Sequence, residues 1–191
     1  MHRRHLLRTG LGSLAIAALS PSALVFGQAA CPARTEPNIE GPFYVPGAPE
    51  RSALHDTWQH QIALSGRVRD IHCRPMADAV LEVWQANEQG EYDLDGFDYR
   101  GVLRTQADGS FHLYTVIPGR YLNGSTYRPA HIHVKVHANG RPPLTTQLYF
   151  PGDPENDTDP WFRSSLLVTA HPPGPQGCHP QPRRMSFDFV V

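Results

Sequence analysis

The stretch "YRPAHIHVKV", residues 127–136, decides how the rest of the chain is read. It reads as a β-strand, and side chains alternate across a strand. His131 and His133 therefore project from one face, roughly 6.6 Å apart at Cα. Two imidazoles at that spacing can converge on adjacent coordination positions of one metal ion. A bare His-x-His pair also suits a solvated strand face, so other residues must decide. His137 shares that face but lies about 13 Å further along the strand, and it reads as a surface residue.

Around this strand the chain is patterned for β structure. "IALSGRVRD" alternates, with Ile62, Leu64, Gly66 and Val68 on one face, the period of a half-buried strand. "DAVLEVWQA" sets Val80, Glu82 and Trp84 opposite Leu81, Val83 and Gln85. "GVLRTQADGSFHLYTVIPG" reads as strand, Asp-Gly turn, strand, and "AHIHVKVHANGRPPLTTQLYF" as a strand pair around Asn139–Gly140. "RMSFDFVV" closes the chain with Met185, Phe187, Phe189 and Val191 alternating against Ser186, Asp188 and Val190. About eight short strands with turn signals between them predict an all-β fold, an antiparallel β-sandwich. Residues 153–162, "DPENDTDPWF", form a polar loop with room for a short helical turn, and the proline-rich segment 171–184 belongs on the surface.

Composition agrees. The 19 prolines and 16 glycines in 191 residues suit a turn-rich fold. A net charge of −1, from 17 basic and 18 acidic residues, gives nucleic acid no reason to bind.

The N-terminus reads as an export signal. Arg3 and Arg4 precede an apolar run from Leu11 to about Phe26, with small residues at Gly27, Ala29 and Ala30. The paired arginines followed by Leu6 and Leu7 look like a twin-arginine signal. The run is broken by Gly12, Ser13, Ser20, Pro21 and Ser22 and falls short of the roughly 20 residues a membrane span needs. The expectation is a signal over residues 1–30, recognised by the twin-arginine export machinery, and one mature domain, 31–191, outside the cytoplasm. An extended arm, 31–60, leads that domain, and no stable membrane span is expected in it. An oxidising compartment permits one disulfide among Cys31, Cys73 and Cys178, with the pairing left open. Gln28 stands where a lipoprotein signal takes a large aliphatic residue, which argues against lipid on Cys31.

The tyrosines add to the histidines. A phenol, with a pKa of about 10, ligates poorly unless a strongly charged cation deprotonates it. Anionic oxygen with imidazole suits a hard ion, and Fe(III) fits that set better than Zn(II) or Cu(I). Tyr92 in "GEYD" and Tyr121 in "VIPGRY" each follow a strand, so both can hang from loops at one end of the sandwich. The spacing alone does not settle which tyrosines bind.

"EGPFY", "SGRVRD…PMADAVLEVWQANEQGEYD", "TQADGSFHLYTVIPGRY", "YRPAHIHVKV" and "LTTQLYF" occur in this order. Together they resemble the intradiol ring-cleavage dioxygenases, the ferric enzymes that open catechols between the two hydroxyls. The resemblance implies Fe(3+) held by Tyr92, Tyr121, His131 and His133. It implies Tyr121 as the phenolate that leaves the metal and takes a substrate proton, and Tyr92 as the one that stays. Tyr127 and Tyr114 are next in line for the axial place. By the same resemblance Arg128 stabilises charge on the ring, and Gln147 hydrogen-bonds an oxygen of the reacting substrate. The implied partners are a small aromatic diol and O2, with a cis,cis-muconate-type product.

The arm is short beside the helical N-terminal segment that joins two subunits in the intracellular catechol enzymes. The chain therefore looks more like the protocatechuate type or an exported single-domain branch, and a homo-oligomer stays open. Tyr44, Asp95 and Tyr99 are candidates for the mouth of the site. Two rivals remain: a metal-free transthyretin-like β-sandwich binding module, which lacks "RPAHIH" and "GEYD", and a copper or zinc His-x-His site.

Overall fold

The computed structural model describes residues 31–55, 62–174 and 181–191. The proposed signal with Arg3 and Arg4, the end of the arm and Cys178 lie outside them. Among the described residues the strands are β1 (Ile62–Arg69), β2 (Val80–Trp84), β3 (Arg100–Arg104), β4 (Ser110–Thr115), β5 (Tyr121–Asn123), β6 (Thr126–Arg128), β7 (His131–His137), β8 (Leu144–Tyr149), β9 (Thr169–Ala170), β10 (Arg183–Ser186) and β11 (Phe189–Val190). The polar loop carries a 3-10 turn, Pro154–Asp157, capped by the Asp153 side chain on the Glu155 N–H.

β1 organises the first sheet. One edge pairs antiparallel with β4, from Ile62↔Thr115 to Arg67↔Ser110. The other edge takes β10 and then β11, both parallel to β1 and in one continuous register. Between them the Asp188 carboxylate accepts the Arg67 N–H, so the ladder is bridged by a side chain where the last strand breaks. The last strand is interrupted between β10 and β11, yet Met185, Phe187, Phe189 and Val191 all pack toward the core as their alternation predicts. The sheet is mixed rather than wholly antiparallel.

The second sheet is antiparallel in the order β3-β2-β7-β8. β3 and β4 do not form the hairpin that the Asp108–Gly109 turn suggests. β3 pairs with β2, and β4 pairs with β1. The turn is an arch between the sheets, because each strand must turn its apolar residues inward from its own layer to close the sandwich. The β7–β8 pair forms as expected.

The core lies between the layers. Ile62, Leu64, Val68, Phe111, Leu113 and Phe189 face Leu81, Val83, Leu103, Ile132, Val134, Val136 and Leu148. Fully burying each such side chain is worth about 1.5–3 kcal/mol. Alternation then turns His131, His133 and Lys135 to the outer face of the second sheet. The register sets Trp84, His133 and Gln147 in one row across three strands, with Tyr149 opposite His131. This outer face is nevertheless buried at His131, His133, Trp84, Gln147 and Tyr149.

The arm supplies part of the cover. It joins the edge of β8 through Asn38 N–H to the Thr145 carbonyl at 2.9 Å. The Gln147 amide then donates to the Ile39 carbonyl at 2.8 Å. A disulfide between Cys31 and Cys73 ties the start of the arm to the β1–β2 connection.

Candidate metal centre

The two histidines differ in how they are held. His131 Nδ1 lies 2.7 Å from the Pro129 carbonyl and must donate to it. That leaves the His131 Nε2 lone pair facing the site, 3.2 Å from His133 Nε2. His133 Nδ1 is buried without a hydrogen-bond partner, and its ring is held by stacking on Trp84 at 4.8 Å.

Two backbone turns bring the tyrosines to the same point. In "NEQGEY" the Asn87 side chain accepts the N–H groups of Gln89 and Glu91, which folds the chain back before Tyr92. The turn before Tyr121 docks on it, with the Gly119 N–H donating to the Asn87 carbonyl at 2.7 Å. A Cβ on Gly119 would come within 2.4 Å of the Glu88 carbonyl oxygen, and one on Gly90 within 2.4 Å of the Arg120 carbonyl oxygen. Only paired glycines allow backbones this close, and the closeness sets the Tyr92 and Tyr121 rings 5.6 Å apart, edge to face. The Tyr92 hydroxyl is 3.5 Å from His131 Nε2. The Tyr121 and His131 ring centroids are 5.7 Å apart. Phe43 of the arm stacks on Tyr92 at 4.3 Å.

These four side chains form an N2O2 set. Among the described residues no group of three or more His, Cys, Asp and Glu converges, so an ion here depends on the phenols. Burial, reinforced by Tyr121, holds the Tyr92 hydroxyl well above its ordinary pKa, against the pull of Arg128. Burial raises Tyr121 as well, with Arg128 again opposing. Burial lowers His131 to about 3, with the Arg128 charge contributing. Burial and then His131 hold His133 well below the usual imidazole range.

Both imidazoles therefore stay neutral, and two nitrogens approach at 3.2 Å with one of them necessarily a lone pair. The two half-buried phenols beside them resist ionising unless a cation is present. A hard cation satisfies all four groups together, so the residues fit a ferric ion.

Arg128, paired with Tyr121 across the β5–β6 hairpin, is buried beside this set. Its Nη1 donates to the Tyr121 hydroxyl at 3.4 Å, and its Nη2 donates to Gln147 Oε1 at 2.6 Å. Both ends of the Gln147 amide are thus engaged, by Ile39 and by Arg128.

Every residue singled out for the metal site, with Arg128 and Gln147, falls in one cluster. Tyr44, Asp95 and Tyr99, the candidates for its mouth, take three different places around it. Tyr99 stacks on His55 and donates to Glu88. Asp95 is exposed on the Tyr92 loop, where its N–H donates to Asp93. Tyr44 lies edge-on to Trp84 at 5.0 Å, one ring removed from His133. Tyr127 is exposed, and Tyr114 lies in the other sheet.

Four further residues beside the cluster carry no signal singled out in the sequence. Arg100, buried, donates to the carbonyls of Asp93 and Phe43 and so clamps the Tyr92 loop to the arm. The Tyr149 hydroxyl lies 3.0 Å from Gln147 Oε1 and 3.1 Å from the Trp161 carbonyl, and its single proton serves one or the other. Asp159 lies 3.1 Å from Arg128 Nε, and the guanidinium sits 4.7 Å over the Trp161 ring. Tyr149 shares a face with Gln147 by strand alternation and could have been found. The loop residues Asp159 and Trp161 carry no such period.

A family model, Dioxygenase_C, described as a dioxygenase, matches residues 39–190. The chain belongs to the intradiol ring-cleavage dioxygenase family. This enzyme is 35% identical over 180 residues to the chlorocatechol 1,2-dioxygenase of Cupriavidus pinatubonensis, an alignment covering 81% of this chain and 68% of that one. Its structure resembles the dioxygenase domain of a dioxygenase and carbohydrate-binding protein fusion from Streptomyces sp. SirexAA-E, with a TM-score of 0.74 and 42% identity over 83% of this chain and 98% of that one. It also resembles 3-chlorocatechol 1,2-dioxygenase from Rhodococcus opacus 1CP, with a TM-score of 0.74 and 28% identity over 82% of this chain and 72% of that one. Membership sets aside the metal-free binding module.

Proposed function

We propose that this dioxygenase holds one ferric ion through Tyr92, Tyr121, His131 and His133 and uses O2 to open a catechol-type ring between its two hydroxylated carbons. The product is of the cis,cis-muconate type. The observation that carries this reading is the convergence of two neutral imidazoles on β7 with two half-buried phenols from two other segments. When bound, the ion would supply the Lewis acidity that makes the diol hydroxyls acidic and the ring reactive toward O2.

The chain's own groups do the rest. Tyr92, stacked under Phe43, is the fixed ligand. The Tyr121 oxygen takes the proton of the second catechol hydroxyl, with the Arg128 guanidinium 3.4 Å away to stabilise charge as it moves. Gln147, engaged at both ends of its amide, orients that guanidinium. The arm, crossing from Ile39 to Phe43, shields the centre from water.

Export through the twin-arginine route belongs to the same proposal. Arg3, Arg4 and the apolar run after them support it. So does the Cys31–Cys73 disulfide, which suits an oxidising compartment. No helix among the described residues is long and apolar enough to cross a membrane.

Metal analysis and a visible spectrum of the purified protein, followed by titration with catechol, protocatechuate and hydroxyquinol under O2, test the function. About one iron per chain, a red-brown phenolate-to-iron band and ring opening of at least one diol are expected. A colourless protein with stoichiometric zinc, or an iron-loaded one that opens none of the three rings, overturns it.

A further inference from the structure

Arg128 is enclosed on every side. Its Nη2 meets Gln147 Oε1, its Nη1 reaches the Tyr121 hydroxyl, and its flat face covers Trp161. The remaining nitrogen, Nε, lies 3.1 Å from Asp159 Oδ1, and both side chains are almost wholly buried at 4% and 0% exposure. The contact is an ion pair without the alignment of a hydrogen bond. Asp159 Oδ1 also accepts the Trp161 N–H at 3.3 Å, while Oδ2 has no protein partner.

Asp159 is itself held firmly. Its N–H donates to the Glu155 carbonyl at 3.0 Å, and its carbonyl accepts the Phe162 N–H at 3.1 Å. The same loop begins at Asp153, which accepts the Ala130 N–H and pairs with Arg120. Those two neighbours immediately precede His131 and Tyr121 in the chain. One loop thus braces the segments that carry Tyr121 and His131, and Arg128.

We propose that Asp159 is a positioning residue: its buried carboxylate fixes the Arg128 guanidinium in register with Tyr121, and so places the positive charge that the reacting substrate meets. The inference rests on the function proposed above. A buried ion pair is weak evidence for stability, since apolar residues of similar volume often serve as well. An apolar pair, however, could not hold a cation 3.4 Å from the Tyr121 oxygen. Without Asp159, that oxygen is the nearest site of developing negative charge, and the freed guanidinium would close onto it. Arg128 would then no longer lie where the reacting substrate meets its charge.

Asp159→Asn keeps the size of the side chain and an oxygen for the Trp161 N–H but removes the charge. Iron content, thermal midpoint, KM and kcat are to be measured for Asp159→Asn, Arg128→Gln and the double variant, with a crystal structure of Asp159→Asn. The expected result is unchanged iron and KM, and a fall in kcat of about 10²-fold, the scale of a misplaced active-site group. Asp159→Asn should add no further loss in the Arg128→Gln background, and the guanidinium should shift off Gln147 Oε1. Turnover within about twofold of wild type, or losses that multiply in the double variant, would overturn the proposal. If the wild-type enzyme opens no catechol ring, the proposed function has failed. The crystal structure still decides the positioning role, which an unmoved guanidinium in Asp159→Asn overturns.

Discussion

Trp84 lies face to face with His133, their ring planes 7° apart and their centroids 4.8 Å apart. The two are direct partners on neighbouring strands. Since His133 Nδ1 has no hydrogen-bond partner, this stacking takes the place that the Pro129 carbonyl fills for His131. Trp84→Ala should cost about 3–5 kcal/mol of stability for the buried ring and release iron. Trp84→Phe, which keeps a flat face, should retain most of the iron. Urea unfolding with iron analysis checks both, and iron-replete Trp84→Ala would contradict the orienting role.

Tyr92 and Tyr121 should fail differently as phenylalanines. Tyr92→Phe removes the proposed ligand stacked under Phe43, so iron should bind more weakly and become easier to reduce. Tyr121→Phe should keep more iron but lose the internal base, with turnover down roughly 10²–10⁴-fold. His131→Ala and His133→Ala should each lose the metal outright. Iron content beside catechol turnover for the four variants distinguishes these outcomes. Near wild-type turnover in Tyr121→Phe would remove Tyr121 from its assigned role.

The close approach of Gly119 to the Glu88 carbonyl gives a test of how the tyrosines are brought together. A methyl group at 2.4 Å from that oxygen forces the two turns apart. Gly119→Ala should therefore bleach the phenolate band and lower iron content, although Gly119 carries no metal-binding atom. An unchanged visible spectrum would show that the tyrosines are positioned by something else.

Acid should weaken the iron-free protein. In the fold, burial keeps His131 neutral down to about pH 3 and holds His133 well below its usual range. In the unfolded chain both take up protons below about pH 6.5. The unfolded state therefore binds more protons as pH falls through 6.5. Stability should be fully present above that value and drop by up to about 1.4 kcal/mol per pH unit for each imidazole below it. Urea midpoints of iron-free protein between pH 7.5 and 5 measure the slope. The slope should flatten in the double variant His131→Gln, His133→Gln, and an equal slope would assign the effect to other groups.

Reducing the Cys31–Cys73 bridge frees the arm that reaches Ile39 and Phe43 over the centre. The oxidised protein should be more stable than the Cys31→Ser, Cys73→Ser variant by about 2–4 kcal/mol. The variant should also give up iron to a chelator faster. Equal release rates would show that the arm covers the site without the bridge.

The β7 strand was legible because apolar and polar residues alternate along it, and a period of two places His131 and His133 on one face whatever surrounds them. The same periodicity located β1, β2 and β8. It did not reveal which strands pair. The Asp108–Gly109 turn has the local chemistry of a hairpin, yet β3 and β4 belong to different sheets because their apolar faces meet across the core. The parallel pairing of β10 and β11 with β1 was equally hidden, since a strand's sequence does not record the direction of its neighbour.

The sequence by itself determined the residue types of the candidate centre, two imidazoles on a strand and two phenols after glycine-bearing turns. Those follow from local rules: alternation along β7, and the steric freedom of Gly90 and Gly119. Only the tertiary structure decided that the histidines face away from the core and are buried even so. It also paired Cys31 with Cys73 and set Trp84 on His133, Arg100 on Phe43 and Asp159 on Arg128. These contacts join segments far apart in the chain, and short-range periodicity carries no information about which distant surfaces will exclude water together.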